Sequence, residues 1–276
     1  MCHPPSHRLR HCEEARSADA AINNGHCLLC NARSNGLLIA SSSLAGLLAT
    51  TGLYTKGMSN ENPSRRCEER SDEAISNIRA HLARKPQILV VCTGNICRSP
   101  MGEVVLRERL AEAGLDGRYS VASCGVSAEE QGNPIYPPAA RVLREAGYDV
   151  PARRAHRASD AELRESGLIL AMTVGHARSL RRRMSELGLD LSVLHLWREF
   201  DDSGLEIALG GCFGEGGFLA ESASEGRSKR GSYQDFYVSN GKADVPDPWY
   251  GDDAGYWDTL ACVEAGADGI IDVLSQ

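Results

Sequence analysis

The stretch Gln87-Ile88-Leu89-Val90-Val91-Cys92-Thr93-Gly94-Asn95-Ile96-Cys97-Arg98-Ser99-Pro100 decides how the rest of the chain is read. Four aliphatic residues, Ile88 to Val91, run unbroken into Cys92, as in a strand buried on both faces. A short loop with Gly94 and Asn95 follows. Pro100 fits the first position of a helix, where its missing N–H costs nothing, and Met101, Val104, Val105, Leu106 and Leu110 recur at roughly helical spacing. Strand, loop and helix in that order gather backbone N–H groups and the positive end of a helix dipole around one point, a seat for a dianion. The same field favours the thiolate of Cys92, which makes it a nucleophile. Arg98, six residues on, reaches back as a planar fork for two phosphate oxygens. An inert cysteine on a core strand would account for Cys92, but not for Gly94, Asn95, Arg98 and Ser99 together.

The chain of 276 residues is 42% hydrophobic, enough to fill the core of one or two domains. Its charge is uneven. Residues 1–85 hold 11 Lys and Arg against 8 Asp and Glu, a balance of +3, and the remainder holds 19 against 29, a balance of −10. An acidic catalytic region argues against nucleic acid as substrate, because a phosphate backbone needs a basic face. Ten cysteines in this length do not make a small disulfide scaffold, and chemistry that needs a free thiolate points to a reducing cytoplasm.

Residues 1–85 read as an extension, disordered or not genuinely coding. Arg10-His11-Cys12-Glu13-Glu14-Ala15-Arg16-Ser17 is echoed by Arg66-Cys67-Glu68-Glu69-Arg70-Ser71, and two copies are too few for a solenoid. Translation from Met58 would remove most of this region. Cys27-Leu28-Leu29-Cys30 is half of a zinc site with no second half, so no metal is expected. The uncharged run from Ser34 to Thr55 is rich in Ser, Thr and Gly, and a membrane anchor there is the minor reading.

From Pro86 to Gln276 the pattern is α/β. Further strands are expected over Tyr119–Ser123, Leu168–Met172 and Val193–Trp197. Helices are expected over Pro137–Ala146, from the capping box Ser159-Asp160-Ala161-Glu162, over about His176–Leu187, and through Trp257, Leu260, Ala261, Ala267, Ile271 and Leu274. This alternation predicts a doubly wound four-stranded parallel sheet with helices on both faces, and a phosphate-binding loop after the first strand. The glycine-rich segment 203–242 interrupts it as a loop insertion: a lid, a docking segment or acquired sequence. Directly after it stands Asp244-Val245-Pro246-Asp247-Pro248-Trp249-Tyr250, in which two prolines stiffen the loop that carries Asp247.

Val91-Cys92-Thr93-Gly94-Asn95-Ile96-Cys97-Arg98-Ser99-Pro100 resembles the signature loop of the low-molecular-weight protein tyrosine phosphatases of bacterial type. In that family an Asp-Pro-aromatic loop near the C-terminus supplies the general acid, and Asp247-Pro248-Trp249-Tyr250 matches it. The resemblance implies hydrolysis of phosphotyrosine in proteins through a cysteinyl-phosphate, with Cys92, Arg98 and Asp247 catalytic. Thr93, Gly94, Asn95, Ile96, Cys97 and Ser99 would hold the phosphate, Trp249 and Tyr250 would line the substrate pocket, and no cofactor is needed. Ser99 would donate to the thiolate, and Asn95 would take a left-handed conformation and tie the loop together. Cys97 would form a reversible protective disulfide with Cys92, as the resemblance implies, or serve as a small packing residue. His156, His176 and His195 read as structural or surface residues. The implied partner is a phosphotyrosine protein, with a cognate bacterial tyrosine kinase as one candidate, in the cytoplasm. After removal of the insertion's 40 residues, 151 remain from Pro86 onward, about the family's typical length.

Glu129 falls where the family's second aromatic pocket wall is expected, which weakens stacking and repels acidic substrate flanks; Tyr136 is the residue placed to compensate. Three other functions are weighed. A phosphotyrosine-binding module without turnover would result if the insertion displaced Asp247. An arsenate reductase needs a downstream cysteine relay, yet no cysteine lies between Cys124 and Cys212. A phosphoarginine phosphatase would carry Thr where this loop has Ile96.

Overall fold

A computed structural model describes residues 63–221, 241–250 and 253–276. The repeat unit near residue 10, Cys27-x2-Cys30, the apolar run 34–55 and residues 222–240 of the insertion lie outside them. Ser64–Gln276 form one compact unit. Its elements in order are helix α1 (Pro63–Arg84), strand β1 (Gln87–Cys92), α2 (Arg98–Glu112), β2 (Ser120–Gly125), α3 (Pro137–Glu145), α4 (Asp160–Glu165), β3 (Ser166–Ala171), α5 (Val174–Glu186), β4 (Leu194–Leu196) and α6 (Asp253–Ser275).

The four strands pair in the order β2-β1-β3-β4, all parallel, as the alternating pattern predicts. Side chains of β1 alternate faces. Ile88, Val90 and Cys92 join the core under α2, α3 and α6, and Leu89 and Val91 join the core under α5. The same alternation in β3 divides Leu168 and Leu170 from Ile169 and Ala171. Because β2 lies to one side of β1 and β3 to the other, the connections leaving the carboxyl ends of these strands part just beyond Cys92. Such a switch point opens a crevice without a special cavity-forming sequence.

Local signals hold closely. Ser159 and Glu162 make both bonds of the capping box, and Gly147, at φ 94°, closes the turn after α3. The helix after the loop begins at Arg98 rather than Pro100. Pro100 is tolerated there because every N–H of a first helical turn lacks an intrahelical acceptor.

Two segments differ from their sequence reading. Residues 64–85 belong to the compact unit: Ala74, Ile78 and Leu82, spaced four apart on one face of α1, are buried. The first half of the insertion also packs. Ala208, Cys212, Phe213 and Leu219 are buried, and the Cys212 amide donates to the Leu194 carbonyl at 2.8 Å, covering the outer edge of β4. α1 touches this segment through Asn77 Nδ2, which donates to the Leu209 carbonyl at 2.9 Å. No helix of the described residues is long and apolar enough to cross a membrane.

Candidate active site

Cys92 ends β1 with its thiol buried under the loop that leads into α2. Two donors meet its sulfur: Ser99 Oγ at 3.0 Å and the Asn95 amide at 3.3 Å. Both stabilise negative charge on Sγ. Asn95 stands at φ 62°, the one non-glycine residue with a positive φ among those described. Its short side chain suits that conformation by bonding locally.

The Asn95 amide group uses all four of its hydrogen-bonding positions. Nδ2 donates to Ser99 Oγ and Ser123 Oγ, both at 2.9 Å. Oδ1 accepts from Arg153 Nη2 at 2.7 Å and from the His156 amide at 3.2 Å. Ser123 Oγ donates onward to Glu103 Oε2 at 2.6 Å, and Arg153 Nε lies 3.5 Å from the same carboxylate oxygen. Since Asn95 Nδ2 donates to Ser99, the single Ser99 hydroxyl proton is left for Cys92 Sγ or the Cys124 carbonyl at 3.2 Å. A buried network satisfied at every member fixes the loop in one arrangement.

The neighbouring loop locks in from the other side. Val126 and Ser127 amides donate to the carbonyls of Cys92 and Thr93, at 2.9 and 3.0 Å. Gly125, opposite Cys92 in the sheet, has no room for a side chain, because a Cβ there would stand 2.5 Å from the Thr93 carbonyl oxygen. Thr93 Oγ1 sits 2.8 Å from His176 Nε2. His176 is fully buried in the first turn of α5, and desolvation, reinforced by the Arg98 charge, holds its pKa well below the usual value. The imidazole is therefore neutral and acts as a hydrogen-bonding strut.

Arg98 is buried, and its Nη2 lies 2.8 Å from Asp247 Oδ2. The stiff loop carrying Asp247 is held on both sides. Asp244 Oδ1 accepts the Val174 amide at 2.8 Å, bonding the N-terminal turn of α5, and the Val245 amide donates to the Met172 carbonyl at 2.9 Å just past β3. Beyond them, Thr259 Oγ1 of α6 shares its one proton between the Gly255 carbonyl of its own helix at 2.8 Å and the Pro246 carbonyl at 3.1 Å. The insertion thus ends before a tethered segment, and Asp247 faces Arg98.

Cys92, Thr93, Gly94, Ile96, Cys97, Arg98, Glu129, Glu130, Asp247 and Trp249 line one cavity of about 230 Å³. The expected residues Asn95 and Ser99 lie behind it, supporting the sulfur. The Tyr250 backbone belongs to a short 3-10 turn with Pro248 and Trp249, and its side chain lies outside what is described. Tyr136 does not form the missing wall. Its ring packs on Trp249 with centroids 4.8 Å apart, behind the wall that Trp249 provides. Cys97 and Cys92 are free thiols, and burial, then the nearby Cys92, pushes the Cys97 thiol pKa up, so Cys97 stays protonated. Among the described residues no three metal-ligating side chains converge.

Residues 87–207 match the family model "Low molecular weight phosphotyrosine protein phosphatase". The low molecular weight protein-tyrosine-phosphatase of Streptomyces coelicolor is 30% identical over 187 residues, covering 67% of this chain and 91% of that relative. The low molecular weight protein-tyrosine phosphatase A of Mycobacterium tuberculosis is 29% identical over 194 residues, covering 68% and 91%. Among solved structures, the protein tyrosine phosphatase of Entamoeba histolytica superposes with a TM-score of 0.51 at 20% identity, covering 68% of this chain and 96% of that one. YfkJ from Bacillus subtilis gives 0.50 at 24%, covering 68% and 94%. At these identities the structural likeness establishes the fold.

The α/β fold with a cysteine and an arginine at its switch point is that of the phosphatases the chain is similar to. The chain belongs to the low molecular weight protein-tyrosine-phosphatase family.

Proposed function

We propose that this enzyme hydrolyses phosphotyrosine in proteins through a cysteinyl-phosphate intermediate. The observation that carries the reading is one cavity holding a sulfur with two hydrogen-bond donors, a buried guanidinium, and a carboxylate on a tethered loop. In the first step the Cys92 thiolate attacks phosphorus. The S–P bond forms, the P–O ester bond breaks, and the phenolic oxygen takes a proton from the Asp247 carboxyl. Arg98 and the loop amides hold the equatorial oxygens, so the phosphate replaces Asp247 on the arginine fork and frees the carboxyl for the leaving group. In the second step water attacks phosphorus and gives its proton to Asp247. The S–P bond breaks, and Ser99 Oγ donates to the thiolate as it leaves.

The tethered Asp244–Pro246 segment weighs against the binding-module alternative, in which Asp247 would be displaced. Ile96 lines the cavity and favours a flat phenyl ester over phosphoarginine, whose guanidinium would gain from a hydroxyl there. Cys212, the first cysteine after that interval, is buried in the core on the other face of the sheet from Cys92, which weighs against a reductase relay. The substrate is a phosphotyrosine protein of the cytoplasm, a cognate tyrosine kinase being one candidate. The test is turnover of p-nitrophenyl phosphate. Cys92→Ser abolishes it, and Asp247→Ala lowers kcat by about 10²–10⁴-fold. A wild-type chain that binds vanadate without turnover contradicts the proposal.

A further inference from the structure

The first turn of α5 is a common support for the two charged side chains that face each other across the cavity. The loop carrying Asp247 is anchored there through Asp244, whose Oδ1 accepts the Val174 amide at 2.8 Å. Arg98 reaches the same turn by another route. Its Nη2 lies 3.5 Å from Thr93 Oγ1, and that hydroxyl sits 2.8 Å from Nε2 of His176, two residues after Val174.

Each link of this second route is fixed. His176 is fully buried, and its amide donates to Oγ1 of Thr173, the residue that caps α5, at 3.2 Å. The Thr93 carbonyl accepts the Ser127 amide at 3.0 Å, which leaves rotation of the hydroxyl about its own side-chain bond for the imidazole to settle. Burial, and then the Arg98 charge, keep that imidazole neutral, so it stands beside a guanidinium that an imidazolium would repel. During turnover the partner at Nη2 changes. In the mechanism above, phosphate takes the place of the Asp247 carboxylate now 2.8 Å from Nη2, and Asp247 turns to the leaving oxygen. Thr93 moves no proton in either step and stays beside the fork. A long side chain already held in its bound orientation loses less freedom when the anion arrives.

Resting on the phosphatase reading above, we infer that His176 is a positioning residue for phosphate binding, which through the Thr93 hydroxyl keeps the Arg98 fork aimed at the phosphoryl oxygens. It touches no reacting atom. Because Arg98 holds the phosphoryl group before and during its transfer, loss of the brace raises KM and leaves kcat near its wild-type value. One hydrogen bond of this kind sets a change of roughly 2- to 10-fold.

The test measures kcat and KM for p-nitrophenyl phosphate, and the inhibition constant of inorganic phosphate, in the wild type, His176→Phe, His176→Gln and Thr93→Val. His176→Phe keeps a ring in the core and removes its nitrogens. It should raise KM and the phosphate inhibition constant together by that factor, with kcat within about twofold of wild type. His176→Gln, whose amide can reach the Thr93 hydroxyl, should restore most of both. Thr93→Val removes the same bond from the loop side and should give the same split, so the test stands even where His176→Phe does not fold. Both constants unchanged in Thr93→Val or in a folded His176→Phe, or raised as much in His176→Gln as in His176→Phe, would overturn the positioning role alone. A fall in kcat with both constants unchanged would assign His176 to stability and overturn it too. No turnover by the wild type would overturn the phosphatase reading and this inference with it.

Discussion

At the scale of residues, the site is a chain of oriented donors ending on one sulfur. Glu103 accepts from Ser123 and stands beside Arg153, those two residues fix Asn95, and Asn95 leaves the Ser99 proton free for Cys92. His176 braces the same loop through Thr93. That buried neutral imidazole has a consequence for pH. Its folded pKa is lowered by burial and by Arg98, whereas in the unfolded chain it returns to about 6.5. Below that value the unfolded state binds the extra proton, so stability present above pH about 6.5 is lost as pH falls. Urea midpoints measured down to pH about 5 should therefore drop more steeply in the wild type than in His176→Gln. Parallel curves would contradict the assignment.

The reach of the sequence at this scale follows contact distance along the chain. Cys92, Asn95, Arg98 and Ser99 are legible because a strand, a loop and a helix start meet within fourteen residues, and Asn is the residue type suited to a left-handed turn. His176 meets Thr93 across 83 positions, and Arg153 meets Asn95 across 58. Neither carries a local signal that separates it from a surface histidine or arginine. Asp244, which bonds the Val174 amide across 70 positions, is of the same kind.

At the scale of elements, two segments that read as additions contribute to the core. α1 has a legible face, since Ala74, Ile78 and Leu82 repeat at four-residue spacing, but the echo of residues 10–17 in residues 66–71 carries the opposite signal of repetitive sequence. Residues 203–221 show no periodicity because they pack as successive turns, with Cys212 and Leu219 paired through their backbones and Phe213 beneath the Arg181 guanidinium at 4.7 Å. A chain begun at Met58 retains α1, and one begun at Pro86 loses the burial of Ile78 and Leu82. At about 1.5–3 kcal/mol for each fully buried aliphatic side chain, the shorter chain should lose roughly 3–6 kcal/mol, a large part of an ordinary domain's stability. Urea unfolding of the two chains checks this, and equal midpoints would show that α1 adds nothing.

At the scale of the molecule, the parallel order β2-β1-β3-β4 brings distant pieces to one place. The end of β1 supplies the sulfur and the start of α2 the guanidinium. The segment between β3 and α5 anchors the loop carrying the carboxylate, and α6 secures that loop from the far side. The alternation of apolar strands with capped helices made this topology readable, because each element's pattern is local and right-handed crossovers leave few arrangements. The rim was less readable, since which ring faces Trp249 depends on how the loop after β2 folds back, and Tyr136 folds behind rather than across.

The central claim is that Cys92 carries the phosphoryl group during turnover. The most direct measurement is the intact mass, followed by peptide mapping, of Asp247→Ala quenched during reaction with p-nitrophenyl phosphate, where loss of the base slows hydrolysis of the intermediate. The account predicts a species heavier by one phosphoryl group, located on Cys92 and absent from Cys92→Ser. Turnover that persists in Cys92→Ser, or a phosphoryl group found on another residue, would contradict it.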